Sequence, residues 1–181
     1  DFYSTGRMSE MLERAKLDEL EVEFRAQIEA VLAVELVPTH VDWHCLHSGG
    51  RADIFDLTME LAKEYGLALR VASHPHIAQV QSQGLPTDDY DLLDSFAVSI
   101  DDKSARYAQL LRELPVGLSE WAVHPSLGDA ESRAIDPDGW PVRRADFDFL
   151  VSQQAREIIH EEGITLLSYE PLQRIWQGRS L

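Results

Sequence analysis

The chain has 181 residues, with 32 Asp and Glu against 16 Lys and Arg, a formal net charge of -16 and 44% hydrophobic residues. That apolar content suffices for one sizeable core, so residues 1–181 are read as a single globular domain rather than a disordered chain. The negative charge, without any basic stripe interleaved with aromatics, excludes nucleic acid as a partner.

The longest uninterrupted apolar run is Ala30 to Val34, and Asp1-Phe-Tyr-Ser-Thr5 has neither the basic nor the apolar region of a signal peptide. The expectation is a soluble, cytoplasmic protein with no membrane partner. One cysteine, Cys45, excludes an internal disulfide and any Cys-x-x-Cys site, which fits a reducing compartment.

Leu17, Leu20, Phe24, Ile28 and Val31 recur at helical spacing, predicting one long amphipathic helix from Arg7 to about Val34. The acidic positions between Asp18 and Glu29 form its solvated face. The segment Val37-Pro-Thr-His-Val-Asp-Trp-His44 mixes β-branched and aromatic residues and reads as a strand. A second helix is predicted over Asp53–Tyr65, with Ile54, Thr58, Leu61 and Tyr65 on one face and Gly66 as its C-terminal cap. Leu67–Ala72 reads as a short buried strand.

His74–Asp94 is polar and punctuated by Pro75, Gly84 and Pro86, and reads as a long loop. After Phe96-Ala-Val-Ser-Ile100, Asp101-Asp102 is expected to cap a helix carrying Tyr107, Leu110, Leu111 and Leu114 and ended by Pro115. Gly117–Val123 is a further strand, delivering His124-Pro125 at its carboxyl end. A second polar loop, Ser126–Arg144, contains the turn Asp136-Pro-Asp-Gly139. The last long helix is expected over Ala145–Glu162, burying Phe147, Leu150, Val151 and Ile158. It closes at Gly163 and is followed by an Ile164–Ser168 strand and a short helix after Pro171.

Alternating strands and helices point to an α/β fold with a mainly parallel sheet. A closed (β/α) barrel takes about 250 residues, so the expectation is a partial or distorted (β/α) barrel, with an open sheet as the other option.

His40, Asp42 and His44 are spaced by two and would project from one strand face. Two imidazoles and a carboxylate in a row must hydrogen-bond one another or be organised by a metal ion. His44 lies nearest the carboxyl end, where α/β proteins place ligands. His47 follows in the loop. His124, pinned by Pro125 as the chain leaves the sheet, is a candidate acid or base. Arg70, inside a short apolar strand, needs an anionic or carbonyl partner, with Asp42 one candidate. His74 in Ser-His-Pro-His is a candidate lining residue. The four tryptophans are candidates for stacking on sugar rings, Trp121 being assigned to the core. No Gly-x-Ser-x-Gly, Gly-x-Gly-x-x-Gly or Walker loop occurs, which removes the serine hydrolase and nucleotide readings.

With Pro38-Thr-His-Val-Asp-Trp-His44 after the acidic helix, Leu69-Arg70, His124-Pro125 and Leu167-Ser-Tyr169, the chain resembles the YdjC/ChbG type of carbohydrate deacetylase. The resemblance covers essentially the whole chain and the C-terminal part of the family's fold. It implies an incomplete or distorted (β/α) barrel and removal of acetyl groups from N-acetylated carbohydrates with a divalent metal ion, Mg or Zn. Under it His44 is a metal ligand, and His124 and Asp42 are the acid and base candidates. Arg70 and His74 are positioning groups facing substrate. The family's N-terminal Asn-Ala-Asp-Asp-Phe-Gly stretch has no counterpart, nor has its Gly-x-His ligand. Residue 1 is therefore expected to lie inside the family pattern, with an exposed sheet edge favouring a homodimer. The rival class is a non-catalytic carbohydrate-binding or interaction protein that keeps the scaffold.

Overall fold

The computed structural model describes residues 5–43 and 49–179. Its first half runs α1 (Met8–Arg14), α2 (Leu17–Ala33), β1 (His40–Val41), α3 (Ala52–Tyr65), β2 (Ala68–Leu69) and α4 (His76–Gln81). Then follow β3 (Leu93–Asp94), α5 (Lys103–Arg112), β4 (Trp121–Ala122), α6 (Ala130–Ile135), α7 (Trp140–Leu150), α8 (Gln153–Glu161) and α9 (Glu170–Trp176). This is a mixed α/β chain in which both described strand pairs are parallel. It groups into two compact units, one up to Asp88 and again from Leu167, the other Asp89–Leu166.

In the first unit β1 pairs with β2 in the register His40 to Ala68 and Val41 to Leu69. The N–H groups of Ala68 and Arg70 donate to the carbonyls of Thr39 and Val41 at 3.0 and 3.1 Å, extending the ladder one step past the carboxyl ends. The apolar stripe of α3 buries Phe55, Met59 and Ala62 against Leu69, Val71, Ile77, Val80 and Trp176. Enclosing a ring such as that of Phe55 contributes about 1.5–3 kcal/mol. Trp176 ties α9 to this core through a 2.9 Å bond from its indole N–H to the Pro86 carbonyl.

Gly66 ends α3 in the left-handed region at φ 63°, its N–H closing onto the carbonyls of Ala62 and Lys63. A Cβ there would stand 3.0 Å from Cγ of Gln177, whose amide donates to the Gly66 carbonyl. Gly66→Ala is expected to cost about 1–2 kcal/mol in urea denaturation, because an L side chain is strained at positive φ. Gly66→Asn should cost less, since Asn tolerates that conformation.

The expected long N-terminal helix is two helices. Ala15 is extended at ψ 124°, and the Arg51 guanidinium donates to the carbonyls of Leu12 and Ala15 at 2.6 and 2.9 Å, taking the place of further helical bonds. None of the α2 side chains is fully buried. The helix lies along α3, held by Arg25 on both oxygens of Glu64 at 2.6 and 2.7 Å. Leu17 and Val31 of the predicted stripe are exposed.

In the second unit β3 pairs with β4 in the register Leu93 to Trp121 and Asp94 to Ala122. Tyr107 and Ala108 of α5 meet Phe149 of α7 and Ala155 and Ile158 of α8, with Leu93 and Trp121 packed against them. The predicted 145–162 helix is broken. Ser152 accepts a 3.0 Å bond from the Ala155 N–H and starts α8 afresh, which leaves Leu150 and Val151 exposed and buries Phe149 instead. Both polar loops contain short helices, α4 and α6. Asp129 caps α6 by accepting from the Ser132 N–H at 2.8 Å.

Before α5 the strand is Leu93–Asp94, and Ser95–Ala97 is a 3-10 turn because Asp94 accepts from the Phe96 N–H. Two further expectations are corrected. Asp102 occupies the N-cap position of α5 without a side-chain capping bond. Ile164–Ser168 is not a strand, and Leu166 and Leu167 are exposed rather than paired in a sheet.

Candidate active site

Asp42, Arg70 and His124 fall just past the carboxyl ends of the paired parallel strands, where α/β proteins place ligands. In the first unit Asp42 directly follows β1 and Arg70 directly follows β2. The pairing of β1 with β2 therefore brings them together, and Arg70 Nη1 meets Asp42 Oδ2 at 2.9 Å, both groups part-exposed. In this setting the pair is worth about 0–1 kcal/mol, so it orients the carboxylate more than it stabilises the fold.

The regular strand ends at Val41, and the His40 ring stacks on Tyr169 at 3.9 Å and 14°. His74 is exposed, six residues beyond the start of β2, and its peptide with Pro75 is cis. His44 and His47 lie outside the described residues.

In the second unit His124 stands two residues past β4, and Ser95 directly follows β3. Ser95 Oγ is 2.9 Å from His124 Nδ1. The Phe96 ring meets the imidazole edge-on at 4.9 Å, with the Arg143 guanidinium 5.3 Å beyond over the same phenyl ring. Beneath them lies a closed polar knot. Asp146 and Lys103, 0% and 1% exposed, form an ion pair of 2.9 Å. Lys103 also donates to the Ser95 carbonyl at 2.7 Å. The Tyr107 hydroxyl donates to Asp146 Oδ1 at 2.7 Å, and the His124 backbone N–H donates to Oδ2 at 2.9 Å.

Each ionisation follows from this packing. Burial alone would push the Asp146 carboxyl up, but the His124 N–H, Ser95, Lys103 and Tyr107 together hold it below the ordinary carboxylate value. Burial first, and the Asp146 anion second, push the Tyr107 phenol well above its usual range, so it remains a donor. The result is a neutral pair under the sheet end, with the backbone of His124 hung from a buried carboxylate.

Sequence reasoning found His124 and missed Ser95, Lys103, Tyr107 as a polar partner, and Asp146. A signal existed. Asp146 lies four residues after Val142 and three before Phe149, and Lys103 lies four before Tyr107, so each charge sits on the apolar stripe of its helix. A charge in that position is tolerated only with a partner.

A catalytic divalent ion takes about three protein ligands. Among the described residues no group of three His, Cys, Asp or Glu side chains is placed to hold one, and Asp42 is already engaged by Arg70. The described residues therefore do not by themselves make up a metal centre. No described helix is long and apolar enough to cross a membrane.

These features define an α/β protein whose chemistry-bearing side chains cluster at strand carboxyl ends. The model of the YdjC-like protein family matches residues 1–161, and the chain belongs to that family. It is 25% identical to a carbohydrate deacetylase of Clostridium beijerinckii over 92% of this chain and 66% of that protein. It is 29% identical to a carbohydrate deacetylase of Enterococcus faecalis over 88% of this chain and 62% of the relative. Among solved structures it is similar to an Enterococcus faecalis protein provisionally described as acting in cellobiose-phosphate cleavage. The TM-score there is 0.70, with 27% identity over 91% of this chain and 64% of the other. The chain thus spans a little under two thirds of the length of the relatives it matches.

Proposed function

We propose that this chain belongs to a cytoplasmic hydrolase that removes acetyl groups from N-acetylated sugars, its residues forming one domain of partial (β/α) barrel type. The observation that carries the reading is His124, held past the carboxyl end of β4 by Ser95 and by the buried Asp146, in a chain whose relatives are named carbohydrate deacetylases.

In the reaction, water adds to the amide carbonyl, the C–N bond breaks, and the amine leaves with a proton while acetate is released. His124 supplies the proton to the departing nitrogen, as an imidazolium can near neutral pH. Asp42, oriented by Arg70 and open to solvent, is the carboxylate that takes the proton of the attacking water. Arg70 and His74 contact sugar hydroxyls. A divalent ion, Mg or Zn, held through His44, would polarise the amide oxygen and acidify the bound water.

The test is acetate release from N-acetylated chito-oligosaccharides with Mg or Zn present and after chelation, together with metal affinity of His44→Ala. Metal-dependent acetate release and weaker metal binding by the variant are expected. Sugar binding unaffected by chelator, with no acetate released, would replace this reading with that of a carbohydrate-binding protein.

A further inference from the structure

A pyranose ring carries a face of C–H groups between its hydroxyls, and an aromatic side chain is what removes such a face from water. Arg70 and His74 answer the hydroxyls of a sugar, which leaves the C–H face without a counterpart. The four tryptophans, the candidates by residue type, are committed to packing. Trp43 stacks on Phe55 at 5.6 Å and Trp121 on Tyr107 at 5.5 Å. The Arg133 guanidinium lies 4.2 Å over Trp140, and Trp176 is buried in the first core.

Among the described Phe, Tyr and Trp side chains two are exposed, Tyr90 and Phe96. Tyr90 precedes β3, its hydroxyl donating to the Val116 carbonyl at 2.9 Å. Phe96 follows β3 on the carboxyl side. Asp94 is level with Ala122 in the β3–β4 register, so Phe96 and His124, each two residues further on, leave the sheet side by side. Their ring centroids are 4.9 Å apart, and Phe96 is 45% exposed.

Single exposed apolar side chains are common, but this one is held rigidly at a candidate catalytic group. Asp94 accepts from its N–H at 2.9 Å, and buried Lys103 donates to the preceding Ser95 carbonyl at 2.7 Å. The Arg143 guanidinium, tied to Asp136 at 2.8 Å, lies 5.3 Å over the phenyl ring. A ring fixed before a ligand arrives has little freedom left to lose on binding.

We propose that Phe96 is a substrate-binding residue, the exposed part of its ring carrying the C–H face of the N-acetylated sugar beside His124. The inference rests on the deacetylase reading for the reaction served, but sugar binding through Phe96 is measured without it.

The full chain with N,N′-diacetylchitobiose supplies the test, in two readouts. Saturation-transfer difference spectra report contact of the sugar C–H protons with the protein, and acetate release with Mg or Zn present reports kcat and KM. Wild type should saturate the pyranose C–H protons. Phe96→Ala and Phe96→Leu should lose that saturation and raise KM about three- to tenfold, the size of one aromatic contact, with kcat within about threefold. Phe96→Tyr, which keeps the ring, should retain both. Phe96→Leu keeps apolar bulk and decides the point if Phe96→Ala fails to fold. A fall in kcat at unchanged KM overturns the proposal, because the ring would then only support His124. Wild-type saturation and KM in Phe96→Leu overturn it while leaving the deacetylase reading in place, and a wild type that takes up no saturation overturns it as well. Saturation that depends on Phe96 in a protein releasing no acetate upholds the binding role and removes the deacetylase reading.

Discussion

Replacing Asp146 by Asn is expected to cost about 3–5 kcal/mol of stability in urea denaturation, the penalty for leaving one member of a buried ion pair uncompensated. The Lys103 ammonium, 1% exposed, would then face a neutral amide. Lys103→Met should cost less, because the Asp146 anion would keep the Tyr107 hydroxyl and the His124 N–H as donors. The double variant should cost less than the sum by about 0.5–3 kcal/mol, the signature of two residues in direct contact.

The same carboxylate predicts the acid limb of the stability profile. Its native pKa is depressed, so its contribution is fully present above the unfolded value of about 4 and disappears as pH falls through the native one. Stability below about pH 4 should therefore fall less steeply in Asp146→Asn than in the wild type. Parallel acid limbs and a loss under about 1 kcal/mol would show that the knot is not the buried ion pair it resembles.

The second large effect concerns the chemistry. His124→Ala should lower kcat for acetate release by about 100- to 10,000-fold, the usual worth of a positioned general acid or base, with little change in KM. His160→Ala supplies the control, since that side chain is exposed on α8 in the same unit. Loss of folding is excluded by comparing melting temperatures. A kcat within about threefold of wild type would move the proton-transfer role elsewhere.

Part of this architecture is legible in the residue order because it depends on local rules. The stripe of α3 and its Gly66 cap can be read from spacing and from the one residue type that favours positive φ. The parallel pairing of β1 with β2 and of β3 with β4 agrees with strands separated by helices. His124-Pro125 could be placed at a strand end, and Asp42 was one candidate for the anionic or carbonyl partner that a cation in an apolar strand needs, the one the fold supplies to Arg70. The boundaries were harder. The break between α1 and α2 is made by Arg51, more than 30 residues away in sequence, and no periodicity reports a distant cap. Six-residue helices such as α4 and α6 offer too few turns to show a repeat.

The sequence by itself determined the alternation of helices and strands, the strand-end placement of His124, and the residues that resemble a carbohydrate deacetylase, whereas Asp42 and Arg70, read as lying inside strands, stand just past the strand ends. Only the tertiary structure decided that Lys103 and Asp146 are partners and that Ser95 is the residue bonded to His124. Those contacts join positions 43 and 29 residues apart. Local propensities act within a turn or two, whereas the cost of burying an unpaired charge acts wherever the folded chain brings two charges together.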